Sequence, residues 1–196
     1  MSDSADKRWI KLGKSEALAL AQISKINDDE FVVVPPQSYL RNQFISKYNA
    51  RTNEWKKLME YPQDVIISQH GIATNAATNS LYLTTSRSAM LISDIKTGQF
   101  DIKYLRNKKS KLVCHGNFRS SLLNVDGTIH LIGGDMNDKH LIWDDDNNEF
   151  KEIYEFDRDE VGVRYSPSLI YAKRKQKIFL FGGQFGPRKK TRIWMF

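Results

Sequence analysis

Residues 129–150 read Ile-His-Leu-Ile-Gly-Gly-Asp-Met-Asn-Asp-Lys-His-Leu-Ile-Trp-Asp-Asp-Asp-Asn-Asn-Glu-Phe. A short apolar run stops at Gly133 and Gly134, a polar turn follows, and a second apolar run ends at Trp143. An acidic turn then leads to an aromatic, Phe150. Each run has the length of a strand and each break has turn chemistry, so the stretch predicts antiparallel strands joined by tight connections.

The same pattern recurs, whole or in part, three more times. Second strands of the unit are expected at Phe31-Val32-Val33-Val34, Leu81-Tyr82-Leu83-Thr84, Ile129-His130-Leu131-Ile132 and Ile178-Phe179-Leu180-Phe181, and their first residues are 50, 48 and 49 positions apart. Third strands are expected at 44–48, 89–93, 140–143 and 191–196, and fourth strands at 54–58, 99–102 and 149–153. First strands are expected at 72–77, 117–124 and 166–172. The stretch Glu16 to Ile26 is rich in the helix formers Ala and Leu. It also alternates, with Leu18, Leu20 and Gln22 on one side, and the repeat assigns it to a strand. A period near 50 with about four strands per unit predicts a β-propeller, because one four-stranded sheet cannot cover both its faces and radial stacking does so.

The junction between third and fourth strands sets the register most tightly. Tyr48-Asn49-Ala50-Arg51-Thr52-Asn53-Glu54-Trp55 aligns without a gap on Ser93-Asp94-Ile95-Lys96-Thr97-Gly98-Gln99-Phe100 and on Trp143-Asp144-Asp145-Asp146-Asn147-Asn148-Glu149-Phe150. Asn, Asp and Gly belong in such hairpins because these need side-chain-to-backbone bonds and positive φ.

An apolar strand, a diglycine and two spaced aromatics together resemble the kelch repeat. Gly133, Gly134, Trp143 and Phe150 carry the match in the third unit, and Gly182 and Gly183 in the fourth. The first unit keeps Tyr48 and Trp55 but has Pro35-Pro36 in place of the glycines, and the second has Thr84-Thr85 there. The resemblance implies an all-β, kelch-type propeller of about four four-stranded blades: residues 16–58, 67–102, 112–153 and an incomplete 164–196. Residues 8–12, whose Arg8-Trp9-Ile10-Lys11-Leu12 parallels Glu54-Trp55-Lys56-Lys57-Leu58, are expected to close the last blade. Either four blades close on themselves or the region, 1–196, is a contiguous part of a larger ring. An incomplete ring would leave an open blade face that invites self-association.

The 196 residues are 40% hydrophobic and 27% charged, ordinary for a globular protein, with a net charge of +7 that favours acidic partners. One cysteine, Cys114, excludes an internal disulfide, and no apolar stretch reaches the length of a membrane span. A cytoplasmic protein without a membrane partner is expected.

No motif carries a reaction. Asp144, Asp146, Asn148 and Glu155 match EF-hand positions, but Glu149 stands where the sharp turn needs glycine and the flanks are strands, so the run reads as a hairpin turn. Cys114-His115 with His70 raises copper, yet no two histidines stand at ligand spacing along the chain. Asn124-Val125-Asp126-Gly127-Thr128 reads as an Asp-Gly hairpin, and Asp157-Arg158-Asp159-Glu160 as solvated charge. No catalytic residue, metal or cofactor is expected.

In a propeller, the loops between second and third strands share a face with the blade-to-blade connections. Those loops hold Arg41, Arg87, Lys139, Arg188, Lys189 and Lys190, and the connection after the second unit adds Lys108, Lys109 and Lys111. The expectation is a basic face that binds another protein through an acidic segment, as a scaffold or adaptor. The alternative is an enzyme of the same fold acting on a sugar or small molecule. Nucleic acid is disfavoured, because the basic runs lack interleaved aromatics.

Overall fold

The computed structural model describes residues 21–35, 44–61, 71–85, 89–105, 121–133, 139–156, 167–183 and 193–195. Among the described residues, fifteen strands lie in four sheets. The first contains β1 (Gln22–Lys25), β2 (Glu30–Val34), β3 (Phe44–Asn49) and β4 (Glu54–Glu60). The second contains β5 (Ile72–Asn75), β6 (Ser80–Thr84), β7 (Ala89–Asp94) and β8 (Phe100–Tyr104). The third contains β9 (Ser121–Val125), β10 (Thr128–Ile132), β11 (Lys139–Asp144) and β12 (Glu149–Glu155). The fourth contains β13 (Ser168–Ala172), β14 (Lys177–Phe181) and β15 (Ile193–Met195). Strands pair antiparallel and in chain order within every sheet.

The repeat pattern thus translates directly into consecutive blade-like sheets. The last sheet has among the described residues the three strands expected of 164–196, and the expected closing strand, 8–12, lies outside them. The fourth strands run past their expected ends, β4 to Glu60, β8 to Tyr104 and β12 to Glu155, and the first and last of these pair through a bulge. The bulges fall at matching places, between Ile45 and Ser46 and between His140 and Leu141.

Strand alternation gives the sheets two apolar faces, and three seams between consecutive sheets bury them. Val32, Val34, Ile45 and Met59 of the first sheet meet Ile72, Leu81, Leu83 and Leu91 of the second. Ala73, Tyr82 and Met90, on the other face of the second, meet Leu122, Ile129, Leu131, Leu141, Trp143 and Phe150. Ile132 and Phe156 of the third meet Ile178 and Leu180 of the fourth. Each fully buried Leu or Ile contributes about 2 kcal/mol by leaving water, so these three seams carry the stability.

The inner strands follow one another as β1, β5, β9 and β13, each against the next. A side-chain bond repeats along this row. Thr74 Oγ1 donates to the Lys25 carbonyl, and Asn124 Nδ2 donates to the Thr74 carbonyl at 2.9 Å. Both donors occupy one register position, opposite Leu81 and Ile129, and each reaches the carbonyl of the corresponding residue one sheet earlier. Tyr171, at that position in β13, instead donates to Asp126 Oδ2 at 2.7 Å.

Candidate binding surface

The turns between third and fourth strands form one rim of the stack. Asn49 Oδ1 accepts from the backbone N–H of Arg51 (2.9 Å) and Thr52 (3.0 Å). Asp94 Oδ1 accepts from Lys96 (2.8 Å) and Thr97 (2.7 Å), and Asp144 Oδ1 from Asp146 (3.0 Å) and Asn147 (3.2 Å). Asn53, Gly98 and Asn148 then take positive φ at one shared position, with values of 58°, 74° and 51°. The turn chemistry expected from the aligned sequences is therefore present three times over.

The acidic run is consumed by the same geometry. Asp144 also binds Asn147 Nδ2 at 2.8 Å and pairs with Lys151, and these contacts hold its carboxyl far below the usual range. Glu155 lies 3.8 Å from Lys139. Among the described residues no group of three or more His, Cys, Asp or Glu is placed to hold a metal. Replacing Asp94 with alanine removes the side-chain acceptor of two backbone N–H groups and is expected to cost about 1 kcal/mol in a urea melt, with a normal fold. A variant as stable as wild type would show that the turn holds without its cap.

The aromatic positions pair across strands. Tyr48 and Trp55 have ring centroids 4.7 Å apart, and Trp143 and Phe150 5.2 Å with an edge-on approach. In the second sheet Ser93 stands opposite Phe100. Gly133, Gly182 and Gly183 have φ of 77°, 62° and 79°, and Gly134 lies outside the described residues. The second sheet replaces the diglycine with hydroxyls: Thr84 Oγ1 accepts from Gly71 N at 2.8 Å, and Thr85 Oγ1 donates to the Ala89 carbonyl at 3.0 Å.

Of the basic residues expected to face a partner, Lys139 begins β11 and is ion-paired with Glu152 and Glu155. Arg41, Arg87, Arg188, Lys189 and Lys190 lie outside the described residues, as do Lys108, Lys109, Lys111 and 157–160. His70, Cys114 and His115 lie outside them too.

One pair of polar groups is invisible to linear spacing. The β10–β11 hairpin sets Ile132 opposite His140, which places His130 diagonal to it, and His130 Nδ1 lies 2.7 Å from His140 Nε2. Ten residues apart in sequence, and so at no ligand spacing along the chain, the two are neighbours across strands. Burial pushes His140 down to about 4, with the His130 charge adding to it, and burial lowers His130 as well. Both rings lie on the face of the third sheet that carries Ile132 toward the fourth.

No protein-family model matches the chain, and no curated protein matches it. Solved structures do match in fold. The WD40 domain of coronin from Toxoplasma gondii superposes with a TM-score of 0.51 at 16% identity, covering 84% of this chain and 39% of that one. The β-propeller domain of Cps50 (Swd1) from Myceliophteria thermophila gives 0.51 at 10% identity, over 83% and 48%. Oligogalacturonate lyase from Vibrio parahaemolyticus gives 0.50 at 13% identity, over 89% and 49%. The chain has a propeller-like, multi-bladed all-β fold distantly similar to several propeller structures, among them a WD40 domain and an oligogalacturonate lyase. It spans between 37% and 54% of the length of such structures. Among the described residues no helix is long and apolar enough to cross a membrane.

Proposed function

We propose that the chain is a binding module of kelch type, without catalysis of its own, that holds another protein through an acidic segment. The observation that carries this reading is how the described polar side chains are used. Asn49, Asp94 and Asp144 cap their own turns, and Thr74 and Asn124 tie one sheet to the next. These groups build a rigid scaffold, and rigid blades presenting variable loops suit recognition. Gly133, Gly182 and Gly183 with positive φ, and the Trp143–Phe150 pair, support the kelch assignment.

The net charge of +7 favours an acidic partner, with Arg41, Arg87, Lys139, Arg188, Lys189 and Lys190 as its contacts. Lys139, already paired with two carboxylates, contributes least among them. The test is a pull-down with the triple variant Arg41→Ala, Arg87→Ala, Arg188→Ala beside wild type. Capture is expected to fall about tenfold or more, and to weaken with salt in the wild type. Unchanged capture would remove these loops from the interface. Turnover of an oligosaccharide by the purified chain would replace the binding reading with an enzymatic one.

A further inference from the structure

Turns between first and second strands stand on the same rim as the Asn49, Asp94 and Asp144 turns, because strands alternate in direction within each sheet. In three sheets the polar side chains there hold the turn itself. Asn27 Oδ1 accepts from the backbone N–H of Asp29 (3.0 Å) and Glu30 (2.9 Å), Asn75 Oδ1 from Ala77 (3.1 Å) and Asn124 Oδ1 from Gly127 (2.9 Å). The fourth sheet departs from this. Its turn reads Lys173-Arg174-Lys175-Gln176-Lys177, with glutamine the one uncharged residue. It closes through the backbone: Gln176, at φ 51°, donates its N–H to the Lys173 carbonyl at 3.2 Å. Lys173 lies 3.3 Å from Asp126 Oδ1, and Tyr171 donates to the other oxygen of that carboxylate. Among the described residues no carboxylate pairs with Arg174, Lys175 or Lys177.

Lys173, Arg174 and Lys175 are exposed. So are Asp126 and Gly127 at the equivalent turn of the third sheet, which has a sheet on either side. Flanking sheets therefore leave this rim open. We propose that the β13–β14 turn is a second docking site, separate from the loops holding Arg41, Arg87 and Arg188, for a phosphorylated segment of a partner protein. A phosphomonoester carries nearly two negative charges and three acceptor oxygens, which suit Arg174 as a two-pronged donor and Lys175 and Lys177 as point charges. The adjacent third sheet decides between this ligand and a larger polyanion. Its turns on the same rim present Asp126, Asp145 and Asp146, all exposed. A nucleic-acid strand or a flat anionic membrane reaching past the basic turn would be repelled by them. Arg51 and Lys96, exposed cations of the same rim, lie beyond these acids in the first and second sheets. A single compact dianion meets the basic turn alone.

The experiment captures the full chain on beads carrying phosphoserine peptides of degenerate flanking sequence, in about 0.15 M salt. The same beads after phosphatase treatment are the comparison. Capture is expected to be about tenfold greater on the phosphorylated beads. The double variant Arg174→Glu, Lys175→Glu is expected to fall to the phosphatase-treated level. Its circular dichroism should be unchanged, because both side chains are exposed and the turn closes through the backbone. Arg174→Lys keeps the charge but loses the two-pronged donor, and should lose about threefold. The triple variant Arg41→Ala, Arg87→Ala, Arg188→Ala is expected to keep full capture on these beads, so the two sites fail separately. Equal capture before and after phosphatase overturns the proposal, and so does full capture of the double variant. Capture lost in the triple variant overturns it by assigning the phosphate to the opposite loops. Binding to phosphatidylcholine–phosphatidylserine vesicles in preference to the beads overturns it in favour of a membrane.

Discussion

Replacing Gly98 with asparagine is expected to destabilise the fold by about 3 kcal/mol, although asparagine occupies the equivalent turn position in two sister hairpins. Asn53 and Asn148 adopt φ of 58° and 51° there, and Gly98 adopts 74°, so the backbone conformation is one asparagine accepts. The obstacle is the neighbouring sheet. A Cβ on Gly98 would lie 2.3 Å from the Leu58 carbonyl oxygen and 3.3 Å from its carbon, both backbone atoms that no rotamer change can move. Relief requires parting β4 from the second sheet, and that seam holds Val34, Ile45, Leu83 and Leu91. The melting temperature should fall by about 6–12 °C for a chain of this size. Gly127→Ala is the comparison: its φ is 98° but nothing lies within 4 Å of an added Cβ, so only backbone strain of about 1 kcal/mol is expected. Equal effects at the two positions would mean that β4 does not approach Gly98 so closely.

Gly98 also shows where sequence reading stops. The turn itself is legible, because an Asp at 94, a Thr at 97 and a positive-φ residue at 98 act on one another locally. The strands are legible for the same reason: the runs expected at 129–132 and 140–143 are β10 (Thr128–Ile132) and β11 (Lys139–Asp144). Why the second hairpin carries glycine while the other two carry asparagine depends on Leu58, forty residues away in the chain and in a different sheet. Thr74 and Asn124 are likewise 50 residues apart and polar, but nothing local says that each reaches a carbonyl one sheet back. Repetition gives the architecture because every unit solves the same burial problem. The seams between units are set by tertiary approach. The candidate partner face fares worst, since its arginines and lysines were placed by loop type and charge alone, and loops have no periodicity to read.

Loss of stability between pH 6.5 and about 4 is the second large effect expected, and it arises from His130 and His140. An ordinary histidine in the unfolded chain takes a proton near pH 6.5, whereas His140 in the fold takes one only at about 4. The depressed value means that the folded state favours neutral imidazole. Stability is therefore complete above pH 6.5, declines as the unfolded state gains the proton the folded state refuses, and levels off below about 4. That shift corresponds to about 3 kcal/mol, and His130, lowered by its own burial, acts in the same direction. The carboxylates overlap only the lower end of the window. Asp94, Asp144, Glu30 and Glu60 are held below their ordinary values, so their contribution is complete above the ordinary carboxylate range and starts to be lost as the pH falls through it. Because the pair shares a face with Ile132, and His140 lies against Phe156 with ring centroids 6.4 Å apart, the seam between the third and fourth sheets should loosen first. Chemical melts at pH 7, 6, 5 and 4.5 should show the decline in wild type, with hydrogen exchange fastest in β13 and β14. The double variant His130→Leu, His140→Leu replaces both partners with apolar groups of similar size and should fold with nearly constant stability over the same range. A wild type equally stable at pH 7 and 4.5 would show that the two imidazoles accept protons in the folded protein as readily as in the unfolded chain, and that the seam does not exclude water from them.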